Sequence, residues 1–163
     1  MKRIHFEQIP STHLFAKQHL ESLKEFHLTA ITADYQTSGI GRRGTSWIAP
    51  PLTCLLVTFV YKAPPREQIP LISIKASNAL KQSLNLPTTI KYPNDLMVGG
   101  KKLAGIISEI LNGMAITSVG LNLLQTEEQL RLVDQPATSY FLETGKNLHA
   151  EEILNTFWTN FSA

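Results

Sequence analysis

Apolar positions along the chain fall into two rhythms, one helical and one strand-like. Leu14, Phe15, Leu20 and Leu23 recur at helical spacing behind Ser11-Thr12, whose hydroxyls can cap a helix running to about Phe26. Leu28 to Ala33 reads as a strand, and Thr53 to Tyr61 as a buried strand of apolar and β-branched residues. A helix over about Leu71 to Leu84 follows, ended by Asn85 and Pro87. Short strands are predicted at Thr88 to Tyr92, Asp95 to Val98, Leu103 to Leu111 and Met114 to Leu123, punctuated by Pro93, Gly99-Gly100 and Asn112-Gly113. Leu154, Phe157, Trp158 and Phe161 form the apolar stripe of a last helix, with Glu151 and Glu152 near its start, where the helix dipole favours acids. Hairpin strands with separated helices predict an α+β fold, a mixed, largely antiparallel sheet with helices packed on it.

Composition narrows this picture. A chain of 163 residues with 43% hydrophobic and 17% charged residues, and no repeat or linker, is expected to form a single domain over residues 1–163 with a core of its own. A net charge of +2 argues against nucleic acid or an anionic membrane as a bulk partner. No apolar run behind Lys2-Arg3 has signal-peptide length, and the run from Cys54 to Tyr61 is too short to cross a bilayer, so a cytoplasmic location is expected. Cys54 lies among Thr53, Leu55, Leu56 and Val57, which points to a buried structural thiol rather than a nucleophile.

The most informative stretch is Tyr35-Gln36-Thr37-Ser38-Gly39-Ile40-Gly41-Arg42-Arg43-Gly44-Thr45-Ser46-Trp47. Its glycines let the backbone approach a ligand and present amide N–H groups to an anion. Arg42 and Arg43 add planar donors for phosphate or carboxylate, and Trp47 a π-face for a purine. Taken alone, the stretch reads better as a solvated turn with two surface arginines and a core tryptophan. It is not a P-loop, because no Gly-Lys-Ser or Gly-Lys-Thr follows.

Further on, Lys91-Tyr92-Pro93-Asn94-Asp95 precedes Gly99-Gly100-Lys101-Lys102-Leu103-Ala104-Gly105. A two-residue turn at Gly99-Gly100 sets Asp95 opposite Ala104 and diagonal to Lys102, an Asp–Lys pair that is either a surface salt bridge or the charged edge of a site. A second turn at Asn112-Gly113 sets Gly105 opposite Gly120 and Leu103 opposite Asn122. Facing glycines leave a bare patch that suits a thin ligand, close helix packing or a bulge.

In this order the pieces are similar to the biotin–protein ligase family, from Ser11-Thr12 to about Ser139. Gly39 to Trp47 resembles the family's Gly-Arg-Gly-Arg-x-Gly-Arg-x-Trp loop. Lys91-Tyr92-Pro93-Asn94-Asp95 resembles Lys-Trp-Pro-Asn-Asp, Lys102 to Ile106 resembles Lys-Leu-Ala-Gly-Ile, and Val119-Gly120-Leu121-Asn122 and Ala137-Thr138-Ser139 also have counterparts. The resemblance implies the fold shared with class II aminoacyl-tRNA synthetases and an enzyme that activates biotin with ATP and magnesium. Biotin would pass to a lysine of a biotin carboxyl carrier protein, the carrier domain of a biotin-dependent carboxylase.

It also implies site residues. Ser11, Thr12 and Gln36, with Gly39, Gly41, Gly105 and Gly120, would hold biotin. Arg42 and Lys102 would contact its carboxylate and the α-phosphate, and these two with Asp95 would be catalytic. Arg43, Gly44, Trp47, Asn94, Asp95 and Asn122 would hold ATP, with Trp47 and Asn122 on adenine and Asp95 near magnesium; metal ligands are not assigned. Ile40 and Thr45 replace loop arginines of the family, which implies a weaker grip on pyrophosphate and adenylate. An N-terminal DNA-binding domain and a C-terminal β domain found in relatives are expected to be absent. Rival readings are a lipoate–protein ligase or octanoyltransferase of the same fold, and a non-catalytic nucleic-acid-binding domain.

One conflict follows. Strict turns put Asp95 and Lys102 on one sheet face and Gly105, Gly120 and Asn122 on the other, whereas the resemblance needs them on one ligand. An odd turn or β-bulge between Val98 and Gly105, or a strand ending by Lys102, is therefore expected. The glycine patch would floor the biotin pocket, the Gly39 to Trp47 loop would be its lid, and helices would pack behind Ala104, Ile106, Val119 and Leu121.

Overall fold

The protein is described by a computed structural model over residues 1–162. Its strands are β1 (Lys2–Ile9), β2 (Leu28–Gln36), β3 (Cys54–Lys62), β4 (Thr89–Lys91), β5 (Asp95–Val98), β6 (Lys101–Leu111) and β7 (Met114–Asn122). They form one sheet in the order β1-β2-β3-β7-β6-β5-β4, with β1 parallel to β2 and every other pair antiparallel. The α+β class and mixed sheet agree with the sequence reading. β1 was not anticipated: only Ile4 and Phe6 alternate with polar residues there, a short period-2 signal on an edge strand that buries one side.

The predicted first helix is shorter and broken. α1 (Thr12–Gln18) is capped by Ser11, whose Oγ accepts from Leu14 N, and α2 (Leu20–Leu23) follows His19, which leaves helical geometry at φ −109°, ψ 16°. These helices cover Ile31, Val60, Met114 and Ile116 with Ala16, Leu20 and Leu23. On the opposite sheet face, α3 (Ile72–Leu84) and α6 (Ala150–Ser162) bury the main core, where Ala76, Leu80, Leu154 and Phe157 meet Phe59, Ala104, Ile106, Val119 and Leu121. Two short helices, α4 (Glu127–Leu130) and α5 (Tyr140–Thr144), lie in the connection from β7 to α6.

Both hairpin turns form as expected. Gly99 and Gly100 (φ 54°, 79°) join Val98 to Lys101, and Asn112 and Gly113 (φ 48°, 75°) join Leu111 to Met114. Gly105 faces Gly120. The expected bulge is also present, because pairing steps from Leu96–Ala104 to Met97–Lys102 and leaves Leu103 as the extra residue. One register expectation is thereby corrected: Asp95 pairs with Gly105 rather than Ala104, while β6 and β7 pair in the expected register from Ala104–Leu121 to Leu111–Met114. Leu103 and Ala104 both turn into the helix-side core, and Lys102 emerges on the same face as Gly105.

Candidate active site

On the α1 face of the sheet, next to the apolar patch, a cleft of about 550 Å³ opens beneath the loop between β2 and β3. The loop folds back on itself: Gly41 N donates to Thr45 O (2.6 Å), Trp47 N donates to Gly39 O (2.9 Å), and Ile40 bridges Ser46. Its tip turns through Arg43 (φ 55°) and Gly44 (φ 79°). A Cβ at Gly41 would lie 2.3 Å from Thr45 Oγ1, so the tight fold needs glycine there. Gly39 is buried and does not line the cleft, and a Cβ there would lie 2.5 Å from Trp47 O.

The cleft rim is charged. Arg42 Nη1 donates to Asn94 Oδ1 (2.7 Å), Asn94 Nδ2 donates to Asp95 Oδ1 (3.0 Å), and Lys102 Nζ lies 3.0 Å from the same Asp95 oxygen. The Lys102 and Asp95 side chains are only 15% and 16% exposed, so this is the charged edge of a cleft and not a solvated surface pair. Lys102 is fixed at the bulge by the segment before α5: its N–H donates to Pro136 O and its carbonyl accepts from Thr138 N, both at 2.9 Å. Two cations on one line of hydrogen bonds can stabilise a carboxylate meeting a phosphate. Among the described residues no group of three or more His, Cys, Asp or Glu side chains is placed to hold a metal by itself.

The glycine floor is occupied by the protein's own tryptophan. A Cβ at Gly120 would meet Trp47 Cε2, Cδ2 and Cζ2 at 2.6, 2.8 and 2.8 Å, and one at Gly105 would meet Trp47 Cζ3 and Lys102 Cε at 3.2 Å. The thin group that the bare patch accommodates is thus, in part, an indole. Trp47 is half-buried and lines the cleft. Below it, Asn122 is buried with its amide engaged: Nδ2 donates to Thr138 O (2.9 Å) and Oδ1 accepts from Gln125 Nε2 (2.8 Å). Cys54 accepts from Gln125 Nε2 (3.0 Å), and burial pushes its thiol up to about 12, so it is the inert structural thiol expected.

At the other end, where α1 starts, Thr12 presents its backbone N–H (2.8 Å) and its hydroxyl (3.0 Å) to Gln36 Oε1. Ser11 is 2% exposed beside them. Beyond Thr12 the cleft is lined by His13 and Ser118, which the sequence reading did not select. Ser118 could have been found, since it lies two residues before Gly120 on the same face of β7. His13 carries no such signal, being one residue of a capped helix start. Val133, Asp134, Gln135 and Ala137 also contribute to the lining without having been selected.

Apart from Gly39, every residue selected from sequence lines this one cleft: Ser11, Thr12, Gln36, Gly41, Arg42, Arg43, Gly44, Trp47, Asn94, Asp95, Lys102, Gly105, Gly120 and Asn122. Fold and site together define an α+β domain whose cleft has a charged rim of Arg42, Asp95 and Lys102, an aromatic wall and a polar end. The chain belongs to the biotin/lipoate A/B protein ligase family, whose model matches residues 5–124. It is 32% identical over 118 residues to a biotin–acetyl-CoA-carboxylase ligase of Mycobacterium tuberculosis, a match covering 67% of this chain and 43% of that protein. The biotin protein ligase of Aquifex aeolicus in complex with biotin and ATP superposes with a TM-score of 0.74 at 29% identity, covering 99% of this chain and 68% of that one. A biotin protein ligase of Leishmania major in complex with biotinyl-5-AMP shares the fold with a TM-score of 0.80 at 20% identity, over 98% of this chain and 73% of that one. The chain spans less than half the length of the curated relatives it matches.

Proposed function

We propose that this domain is the catalytic unit of an ATP-dependent biotin–protein ligase, which forms biotinyl-5′-AMP and transfers biotin to a lysine of a biotin carboxyl carrier protein. The observation that carries this reading is the convergence of Arg42, Asn94, Asp95 and Lys102 on one rim, beside Trp47 on the Gly105–Gly120 floor. The closed end with Ser11, Thr12 and Gln36 supplies donors and acceptors for a cyclic urea, and the acyl chain would run from there through the cleft to the rim beside Trp47, which itself covers the Gly105–Gly120 floor.

In the first step a carboxylate oxygen of biotin attacks the α-phosphorus, the bond from that phosphorus to the bridging oxygen breaks, and pyrophosphate leaves. Arg42 and Lys102 stabilise the charge on the phosphoryl oxygens. Trp47 offers its free face to adenine, while Asn122, with its amide engaged, acts on the base side by holding the floor in register. Asp95 would offer one carboxylate to a magnesium ion, which would supply neutralisation of the phosphate charge. In the second step the neutral carrier lysine attacks the acyl carbon, an amide forms, AMP leaves and the amine loses a proton. Closure of the Gly39–Trp47 loop keeps water from the anhydride. A cytoplasmic location belongs to the same reading, since ATP and carrier domain must both reach the cleft.

Biotin-dependent ATP–pyrophosphate exchange tests the proposal. Exchange with biotin is expected, and exchange that requires lipoate instead would move the chain to the other branch of its family. Octanoyl transfer without ATP, or nucleic-acid binding without exchange, would overturn the reading.

A further inference from the structure

A line of hydrogen bonds runs from the cleft's closed end beneath α1 to Glu109 on β6. Glu109 Oε1 lies 2.9 Å from His13 Nε2, and His13 Nδ1 lies 2.7 Å from Ser118 Oγ. Ser118 Oγ lies 2.7 Å from Thr58 Oγ1, Thr58 donates to Thr12 Oγ1 (2.9 Å), and Thr12 donates to Gln36 Oε1 (3.0 Å). The far end has a fixed sense, because Thr12 N–H also donates to Gln36 Oε1 and so places the amide oxygen, not its nitrogen, against Thr12.

Between His13 and Gln36 lie four contacts, and Ser118, Thr58 and Thr12 bring one hydroxyl hydrogen each. The fourth hydrogen must come from His13 Nδ1. The contact of Nε2 with a carboxylate then needs another, so all five contacts are satisfied only when His13 and Glu109 together hold one proton more than a neutral imidazole and an ionised carboxylate. Without it one contact faces lone pair to lone pair. A bare Nε2 against an anion is the worst place for that defect, so the ring takes the Nε2–H tautomer and the hydroxyls reverse, which turns the Thr12 hydroxyl away from Gln36.

We propose that His13 is a positioning residue whose proton uptake with Glu109 completes this line and sets Thr12 and Gln36 for the ligand head group, making biotin binding proton-coupled. The inference rests on the biotin reading of the cleft. The charged groups acting on His13 are Glu109 from β6 and Lys17 from α1 itself, with Lys17 Nζ 2.9 Å from Glu109 Oε1. β7, β3 and β2 bring only the uncharged Ser118, Thr58 and Gln36. Lys17 keeps Glu109 ionised, so the proton resides on the ring, and burial moves that uptake below the ordinary imidazole range.

Calorimetric titration of the chain with biotin, between pH 5.5 and 8.5 in two buffers of different ionisation enthalpy, reads the coupling. The parent is expected to take up protons on binding and to bind roughly two- to tenfold tighter at the acid end, the worth of one hydrogen bond. His13→Asn keeps a donor toward Ser118 without titrating, and Glu109→Gln can donate to a neutral ring; both should bind without proton uptake and at constant affinity. No uptake by the parent, or uptake retained by His13→Asn, overturns the proposal. If the parent binds no biotin in any buffer, the functional reading fails instead. The proton count is then decided without ligand by 15N NMR of the His13 ring at pH 8. An Nε2–H tautomer in the parent and an Nδ1–H tautomer in Glu109→Gln are expected, and one tautomer in both overturns it.

Discussion

Trp47 lies flat on Gly120, so closely that a Cβ at residue 120 would sit 2.6 to 2.8 Å from three indole atoms. The missing side chain on β7 is therefore what lets the loop deliver an aromatic face to the rim. Gly120→Ala must displace the indole, and overpacking of this kind costs about 1–3 kcal/mol. The apparent constant for ATP in biotin-dependent exchange should rise about tenfold with little change for biotin. An unchanged ATP dependence would separate Trp47 from the nucleotide.

Trp47→Ala should raise the ATP constant by a similar factor. Because both substitutions act on one contact, Gly120→Ala in the Trp47→Ala background should add almost nothing. Full additivity of the two, measured in the same exchange assay, would show that the contact does not position the base.

Lys102→Ala should lower biotin-dependent adenylation by at least about a hundredfold, the scale of one lost charge-stabilising donor. Asp95 keeps Asn94 as its partner, so urea unfolding should show a stability loss of only about 1–3 kcal/mol. A normal exchange rate in this variant would overturn the assignment of the rim.

Acid should weaken the fold in two windows. Burial holds His13 below its ordinary 6.5, so the unfolded chain binds more protons and the stability present above 6.5 is lost as pH falls through that value toward the folded pKa. Glu109, held below 4.5 by Lys17 and His13 against its partial burial, contributes stability above 4.5 that is lost as pH falls through its folded pKa. Unfolding free energies from pH 8 to pH 5 should decline, and His13→Asn should flatten the decline. An equal slope in parent and variant would remove His13 as the cause.

Local chemistry made much of this molecule legible. Asn112-Gly113 and Gly99-Gly100 specify two-residue turns because their backbones accept positive φ, and the first of them alone implies that Gly105 meets Gly120. The bulge at Leu103 was legible as a contradiction: Lys102 and Gly105 have to share a face, and an alternating strand forbids it. The exact register was not, since a bulge can take its extra residue at several positions and burial of Leu103 in the helix-side core selects one.

Other features lie beyond any pattern a few residues long. β1 carries too little alternation to be read without β2 beside it, and the break at His19 sits inside a pattern that continues helically. Trp47 offered a π-face in sequence, but its seat on a strand more than seventy residues away depends on how the loop folds over the sheet. His13 reaches Ser118 across 105 positions and Glu109 across 96, and neither partner has a local reason to point at it. Turn type, period and charge act through the backbone over a handful of residues and are written in the order of the chain. Which polar groups are buried together, and hence which protons they must share, depends on the packing of α1 against β3, β6 and β7, a relation between distant segments that appears only once they have met.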